Sequence, residues 1–422
     1  MNKKVSFPTL INFLNLFSVL GIVAGFMFSE FSIARIALYC FFISYLIEIF
    51  TDRKLETFKL DKTSVYFITI IAFFLLALVH FPFEQSNEYR NILIERRFSL
   101  LGFGVVGIFG VNHLFKFKYF LYVFIATSAF AILIIFFHMD ILEFIRRPDR
   151  SDLFTETRIL YVNSHMKFNF YLNVSIISIW YLLKKHWSSI TIWKIGFAVP
   201  GLTLFMYVLS ITEGRSGFIA GAILMLSFVF LELVNRWKII GVISVLLLPL
   251  IFVGIVSTQR RMNEQMIKSE PRLFLWESAW NVIKDKPILG HGISDTQATF
   301  TVERIKNQNL EYENYAKGLS FIDSHNQYLQ TTMEFGFLGF LLLLFIYIFP
   351  SFISDKRRKY FAIFIIFLCL FQSIFDMFIT GTFSLLFGIL MIMILRTQSE
   401  PGFSLAESED DELSNLTMNT NS

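Results

Sequence analysis

Apolar windows of about 17–20 residues, the length of helix that crosses the hydrocarbon core of a bilayer, recur along almost the whole chain. No other feature restricts the fold as strongly. A chain of 422 residues that is 55% hydrophobic and only 17% charged cannot hide that much apolar surface in a water-soluble core. The reading is an all-α integral membrane protein with about twelve transmembrane helices. The windows fall at 8–27, 31–50, 64–83, 98–115, 119–138, 168–184, 193–211, 217–234, 239–257, 333–350, 360–379 and 381–396. Gly104, Gly107 and Gly110 recur through the fourth window, a spacing that suits close helix packing.

Composition closes other routes. The two cysteines, Cys40 and Cys369, both lie in apolar runs, which argues against a disulfide framework or a thiolate metal site. A net charge of +4 carries no nucleic-acid signal. Met1-Asn2-Lys3-Lys4 has the charge of a leader start, but a long run and further spans follow, so the first span is read as uncleaved.

Basic residues orient the spans. With the N-terminus inside, each inside loop is basic: Arg53, Lys54, Lys59 and Lys62; Lys116 and Lys118; Lys184, Lys185 and Lys194; Arg236 and Lys238; Lys356 to Lys359. That is the positive-inside pattern at every step. The chain then divides into N-terminal spans (1–138), an outer-face basic loop (139–167), central spans (168–257), a long outer-face helical loop (258–332), C-terminal spans (333–396) and an acidic inside tail (397–422) read as disordered. Within the spans only Arg35 and Asp376 are counted as charged exceptions, both near span ends. A loop as long as 258–332 is uncommon unless it has a function.

Polar interest collects on the outer face in three stretches. Glu213-Gly214-Arg215-Ser216-Gly217 opens the eighth span. Free helix amides, two glycines and a guanidinium favour an anion, especially a phosphate; the other reading is a polar turn with Arg215 snorkelling to headgroups. Glu270–Asp295 places Leu273, Trp276, Trp280 and Ile283 at helical spacing, with Pro271 in the first turn and a Pro287/Gly290/Gly292 turn after it. This is an amphipathic helix packing at the interface, with Arg272 near its start. Arg260 and Arg261 suit headgroup contacts, and His291 suits a structural role in the glycine turn. Ile322–Phe340 carries His325 where the long loop re-enters the membrane. A histidine there either accepts a proton from a hydroxyl or is hydrogen-bonded structure. His165 is its rival at another loop-to-span junction, and Asp376 is placed to orient a histidine or an arginine. Arg146–Arg158 and the pair Arg96-Arg97 face an anionic acceptor or lipid phosphate. Neither a metal-ligand spacing nor a nucleotide-binding glycine loop occurs, so an outer-face enzyme here needs a donor that arrives already activated.

Together, Gly214-Arg215-Ser216-Gly217, "RLFLWESAWNVIKDKPILGHG" and "HNQYLQTTMEFGFLG" resemble the O-antigen ligase family, which includes related polysaccharide polymerases. The likeness covers roughly Ser210–Phe340, in order and on one face. It implies a metal-independent membrane glycosyltransferase of a bacterial inner membrane, its site facing the periplasm, with no cofactor. Such enzymes move a glycan from undecaprenyl diphosphate to an acceptor hydroxyl. By resemblance Arg215 and Arg272 grip the donor diphosphate and His325 is the base, with Glu213, Asn326, Asp376 and His165 as supporting candidates. Attack by the hydroxyl on the anomeric carbon implies inversion. A ligase using a lipid A core acceptor is the first expectation, mildly favoured by the basic outer loops. A polymerase extending the lipid-linked chain shares the same donor grip. A transporter would put charge at mid-membrane and sites on both faces.

Overall fold

A computed structural model describes residues 7–28, 32–52, 54, 58–85, 90–138, 165–185, 192–212, 215–236, 271–306 and 323–397. Among them there are helices and no strand. The chain runs through α1 (Phe7–Gly25), α2 (Ser32–Thr51), α3 (Lys62–Val79), α4 (Arg90–Glu95), α5 (Phe98–Phe109), α6 (Phe117–His138), α7 (His165–Lys185), α8 (Ile192–Ile211) and α9 (Arg215–Arg236). It continues through α10 (Pro271–Asp285), α11 (Ile293–Lys306), α12 (Gln327–Ile348), α13 (Lys359–Gln372) and α14 (Thr382–Leu395). Among the described residues six helices are long and apolar enough to cross a membrane: Phe7–Gly25, Lys62–Phe83, Phe117–Phe137, Arg215–Val234, Gln327–Ile353 and Lys356–Phe375. Shorter apolar helices cover Ile36–Thr51, Gly196–Ile211 and Phe383–Leu395. This is a multi-pass membrane protein. The expected span 239–257, the segment Arg146–Arg158, the residues Glu213, Arg260 and Arg261, and the acidic tail lie outside the described residues.

Two expectations change in detail. The fourth window, 98–115, forms a helix only over Phe98–Phe109, because Gly110 takes φ +75 and ends it. Twelve residues rise about 18 Å, short of the roughly 30 Å core. The glycine spacing does serve close packing: Cβ atoms at Gly104 and Gly107 would strike Ile71 and Phe67 of α3 at 2.4 and 2.1 Å. The count of charges inside spans also missed several, among them Glu48, Glu232 and Glu334 in the second, eighth and tenth windows. Glu48 of α2 is fully buried, held by Asn15, Asn112 (Nδ2 at 3.0 Å) and Lys54.

The helix at the centre is α7, packed against α6, α8, α9 and α13. Every residue from Phe170 to Ile177 is buried. Most of its polar groups are paired within the bundle, as buried polar groups usually are, although the Asn173 side-chain oxygen has no hydrogen-bond partner among the described residues. Ser175 donates to the Phe124 carbonyl (2.9 Å), and the Asn173 amide donates to the carbonyls of Asn169 and Gly217 (2.9 Å each). The start of α9 approaches so closely that a Cβ on Gly217 would lie 2.4 Å from Asn169 Cβ.

Two groups of polar contacts each join residues that the charge reading expects on one side. On one, Arg396 binds Asp61 (2.9 Å) and the Gly107 carbonyl, Lys54 donates to the Gly110 carbonyl (2.8 Å), and Tyr181 donates to the Arg357 carbonyl. On the other, Gln85 and Glu84 meet Asp295 and the Ser294 amide, and the Gly381 amide donates to the Arg96 carbonyl (2.8 Å).

The second face is built around a backbone interlock. α12 is broken at Gly336, with φ +66. Across the break, the amides of His291 and Gly292 donate to the carbonyls of Met333 and Glu334 (2.9 Å each), and the Phe337 amide donates to the Pro287 carbonyl (2.8 Å). The approach leaves no room for side chains: a Cβ at Gly290 would lie 2.5 Å from the Glu334 backbone, and one at Gly336 2.0 Å from the Ile288 carbonyl oxygen. Beneath this junction Arg97 donates through Nη2 to both oxygens of Glu334 (2.7 and 2.6 Å), and Gln330 adds a third bond (2.9 Å). Both charged side chains are only 1% exposed. Arg97 is therefore not a lipid-phosphate or acceptor contact, as its position in the sequence suggested; it neutralises a buried carboxylate.

Removing one member of a buried pair strands the other and costs about 3–5 kcal/mol, whereas replacing both by apolar groups costs far less. Arg97→Met should lower thermal stability in detergent by that amount, and Arg97→Met with Glu334→Leu should recover most of the loss. A single variant within 1 kcal/mol of the parent, on the order of experimental scatter, would contradict the pairing.

Candidate functional site

The three stretches singled out in the sequence meet around the first turns of α7. Arg215 is the first residue of α9 and half-buried. Its helix is seated on Asn169 through Gly217, and Thr212, just before it, donates to Asn169 Oδ1 (2.9 Å). Arg272 is the second residue of α10 and half-buried; its Nη2 lies 3.7 Å from the sulfur of Met166. Met166 and Asn169 are three residues apart, neighbours on one helix surface. One side of the α7 N-terminus thus carries both arginine-bearing helices.

The helix with Arg272 is amphipathic, but its inner face differs from the expected one. Leu275, Ala279, Val282 and Ile283 are buried against Phe300 and Met333, Trp276 is half-buried, and Leu273 and Trp280 are exposed. The expected stripe was read from the largest residues; the seam actually follows Leu275, Ala279 and Val282, with a small alanine at its centre. His291 is structural, as expected: its Nε2 is 3.1 Å from the Val282 carbonyl oxygen and its amide joins the interlock.

The third stretch delivers His325 to the same neighbourhood. Asn326 caps α12, accepting from the amides of Tyr328 (2.9 Å) and Leu329 (3.1 Å), the arrangement that asparagine favours at a helix start. Gln327 ties the turn to the loop between α13 and α14: its amide donates to the Ser373 carbonyl (2.8 Å), and its side-chain oxygen accepts from the Ile379 amide (2.9 Å). That loop carries Asp376, just beyond the span that ends at Phe375. His325 itself has φ +47 and is the one non-glycine residue with positive φ among the described residues. A side chain in this region is uncommon and strained, and such residues concentrate at working sites. Its imidazole is 43% exposed, with Nδ1 3.3 Å from Asp323 Oδ1.

Charges here are interdependent. Burial pushes the Asp376 carboxyl up to about 6, and the Asp323 carboxylate pushes the same way. The Met377 amide, His325 and Lys167 of α7 oppose it. Lys167 follows Met166, so the cluster Asp323–His325–Asp376–Lys167 closes onto the α7 turn that meets Arg272. His165, the rival histidine, begins α7 and is half-buried. Glu213 lies outside the described residues. No group of three metal-ligating side chains occurs among the described residues.

The sequence reading missed Asp323, Lys167 and the buried role of Arg97. Asp323 had a local signal, an aspartate two residues before a residue whose amide it caps. Lys167 had only its place at a loop-to-span junction. Arg97 and Glu334 are 237 residues apart, and nothing in the chain joins them before it folds.

Comparison with known proteins falls on this region. Residues 200–344 match a protein-family model described as O-Antigen ligase. The family resemblance carried by the three stretches is borne out there. A Haemophilus influenzae protein of uncharacterised function is 25% identical over 201 residues, covering 43% of this chain and 48% of that one. A Rickettsia typhi protein named "Putative polysaccharide ligase" is 30% identical over 148 residues, covering 33% and 35%. One of the same name from Rickettsia prowazekii is 23% identical over 327 residues, covering 67% and 79%. The chain spans about half the length of the first of these and about a third of the second.

The Asp376 carboxyl has a stability consequence. Raised from 3.8 to about 6, it binds its proton more readily folded than unfolded. Its contribution is fully present below the unfolded value and is lost as pH rises through about 6. Asp376→Asn, which mimics the protonated form, should match the parent's melting temperature near pH 4 and exceed it above pH 6. A difference that is constant or reversed across that window would contradict the burial of this carboxyl.

Proposed function

We propose that this chain is a membrane glycosyltransferase of the O-antigen ligase type, transferring a glycan from undecaprenyl diphosphate to an acceptor hydroxyl, with lipid A core as the acceptor. The observation that carries the reading is the convergence of all three family stretches on the first turns of α7.

The chemistry follows from what those residues are. A diphosphate leaving group gains negative charge as its bond to the anomeric carbon breaks. Guanidiniums already fixed in place stabilise that charge without reorganisation, worth on the order of 100–1,000-fold in rate for one donor. Arg215 opens a helix, so its guanidinium acts beside the free amides of the first turn of α9. Arg272 comes from a second helix and completes a grip from two directions. The two together take the part that a divalent cation plays for other diphosphate donors. His325 accepts the proton of the acceptor hydroxyl as the oxygen attacks the anomeric carbon from the side opposite the diphosphate, which inverts the configuration. Asn326 caps α12 and fixes the turn that aims His325; Asp376 shapes the charge around the imidazole. Glu213 and His165 remain supporting candidates. The active site lies on the face where acid and base are mixed, the periplasmic face of a bacterial inner membrane, where an already activated lipid-linked donor needs no nucleotide.

In a deletion strain, lipid A core should lose its attached glycan while long chains accumulate on undecaprenyl diphosphate. Arg215→Ala, Arg272→Ala and His325→Ala should each fail to restore attachment when the protein is present in the membrane at parental level. Core that keeps a single repeat unit while the ladder disappears would assign a polymerase instead. An unchanged profile would sink the assignment to this glycan.

A further inference from the structure

We infer that Asp323 is a positioning residue for His325: it holds the imidazole with Nδ1 toward its carboxylate, so that Nε2 faces the acceptor hydroxyl. The inference rests on the reading of His325 as the base.

One carboxylate oxygen does two things. Asp323 Oδ1 accepts the backbone amide of His325 at 2.9 Å and lies 3.3 Å from its Nδ1. The first bond holds the backbone in the left-handed conformation, φ +47, that turns the side chain out of the helix line. The second contact sets a carboxylate beside Nδ1 and so favours the proton on that nitrogen. A neutral imidazole has one N–H and one lone pair, and the partner of the N–H decides which nitrogen is left as acceptor. The next residue keeps the turn rigid: Ser324 is buried, its hydroxyl donates to the Asn326 carbonyl (3.0 Å), and its amide points to Gln330 Oε1 (3.4 Å). Asp323 is half-buried.

The proton count closes. The acceptor oxygen forms its bond to the anomeric carbon as the carbon–diphosphate bond breaks, and the diphosphate leaves with the electron pair. The hydroxyl proton moves to Nε2. The imidazolium then faces Asp323, and the proton is later lost to water. Asp376, from the loop after α13, and Lys167, from α7, also face this cluster. They flank the histidine with charge of opposite sign to each other, while Asp323 is the group for which direct geometry with the ring exists.

Two measurements on the purified full chain test this. The first reads His325 without catalysis: the ring 15N shifts of its neutral imidazole, which report the nitrogen that carries the proton. The proton should sit on Nδ1 in the parent and move largely to Nε2 in Asp323→Ala, which offers Nδ1 no acceptor. The second reads transfer: Asp323→Asn, which keeps an oxygen for the backbone amide but removes the charge, should lower turnover roughly 10- to 100-fold, part of what a positioned base supplies, with the KM for lipid-linked donor unchanged. A proton already on Nε2 in the parent, or unchanged turnover, overturns the positioning role. So does an equal fall in donor affinity, which would mean the turn as a whole had been disturbed. Full transfer by His325→Ala would instead remove the base assignment, an outcome the ring shifts of the parent do not depend on.

Discussion

The face that gathers the candidate site is built around one piece of backbone pairing. The turn Pro287–Gly292 and the break in α12 at Gly336 exchange three amide-to-carbonyl bonds. Neither segment has room for a side chain at the contact. Backbone groups inside a membrane protein must be satisfied by protein, and here two irregular segments satisfy each other. The Arg97–Glu334 pair lies directly under the junction and binds α12 to the start of α5. Such a pair adds little net stability, but it fixes the register in which α12 can break.

That register sets the site. Above the break, α12 begins at Asn326, and the turn before it presents His325. The Pro287–Gly292 turn follows the C-terminal end of α10, whose second residue is Arg272. The loop from Ser373 to Ile379 is pinned by Gln327 and brings Asp376 to the histidine. α7 receives all of them because its N-terminal turns are polar and its neighbours approach through glycine. A helix of plain apolar residues would have served the bundle as well; Asn169 and Asn173 are needed to seat the start of α9, and with it Arg215.

Much of this was legible before folding. Apolar periodicity marked α1, α3, α6, α9 and α12 because bilayer thickness leaves a direct imprint on run length. The alternation of basic loops gave an expected separation of faces, within which Arg396 pairs with Asp61 and Gln85 with Asp295. The glycines at 290, 292 and 336 were visible as motif members. What they do was not, because a close backbone approach has a signature only in the pair. The same limit hid Glu48, whose charge is absorbed by Asn15, Asn112 and Lys54 from separate segments. It also hid the seam of α10, where small Ala279 mattered more than large Trp280. The fourth span, α5, was misjudged by length, since hydropathy continues through Gly110 although the helix does not.

The central claim is that Arg215, Arg272 and His325 form one site for a lipid diphosphate donor. Its most direct test is transfer by the purified protein from undecaprenyl-diphosphate-linked glycan to lipid A core, with EDTA present and no nucleotide added. The account predicts product from the parent protein, with inverted anomeric configuration, and none above background when any one of the three is alanine. Transfer that survives all three substitutions, or that requires a divalent cation, would contradict it.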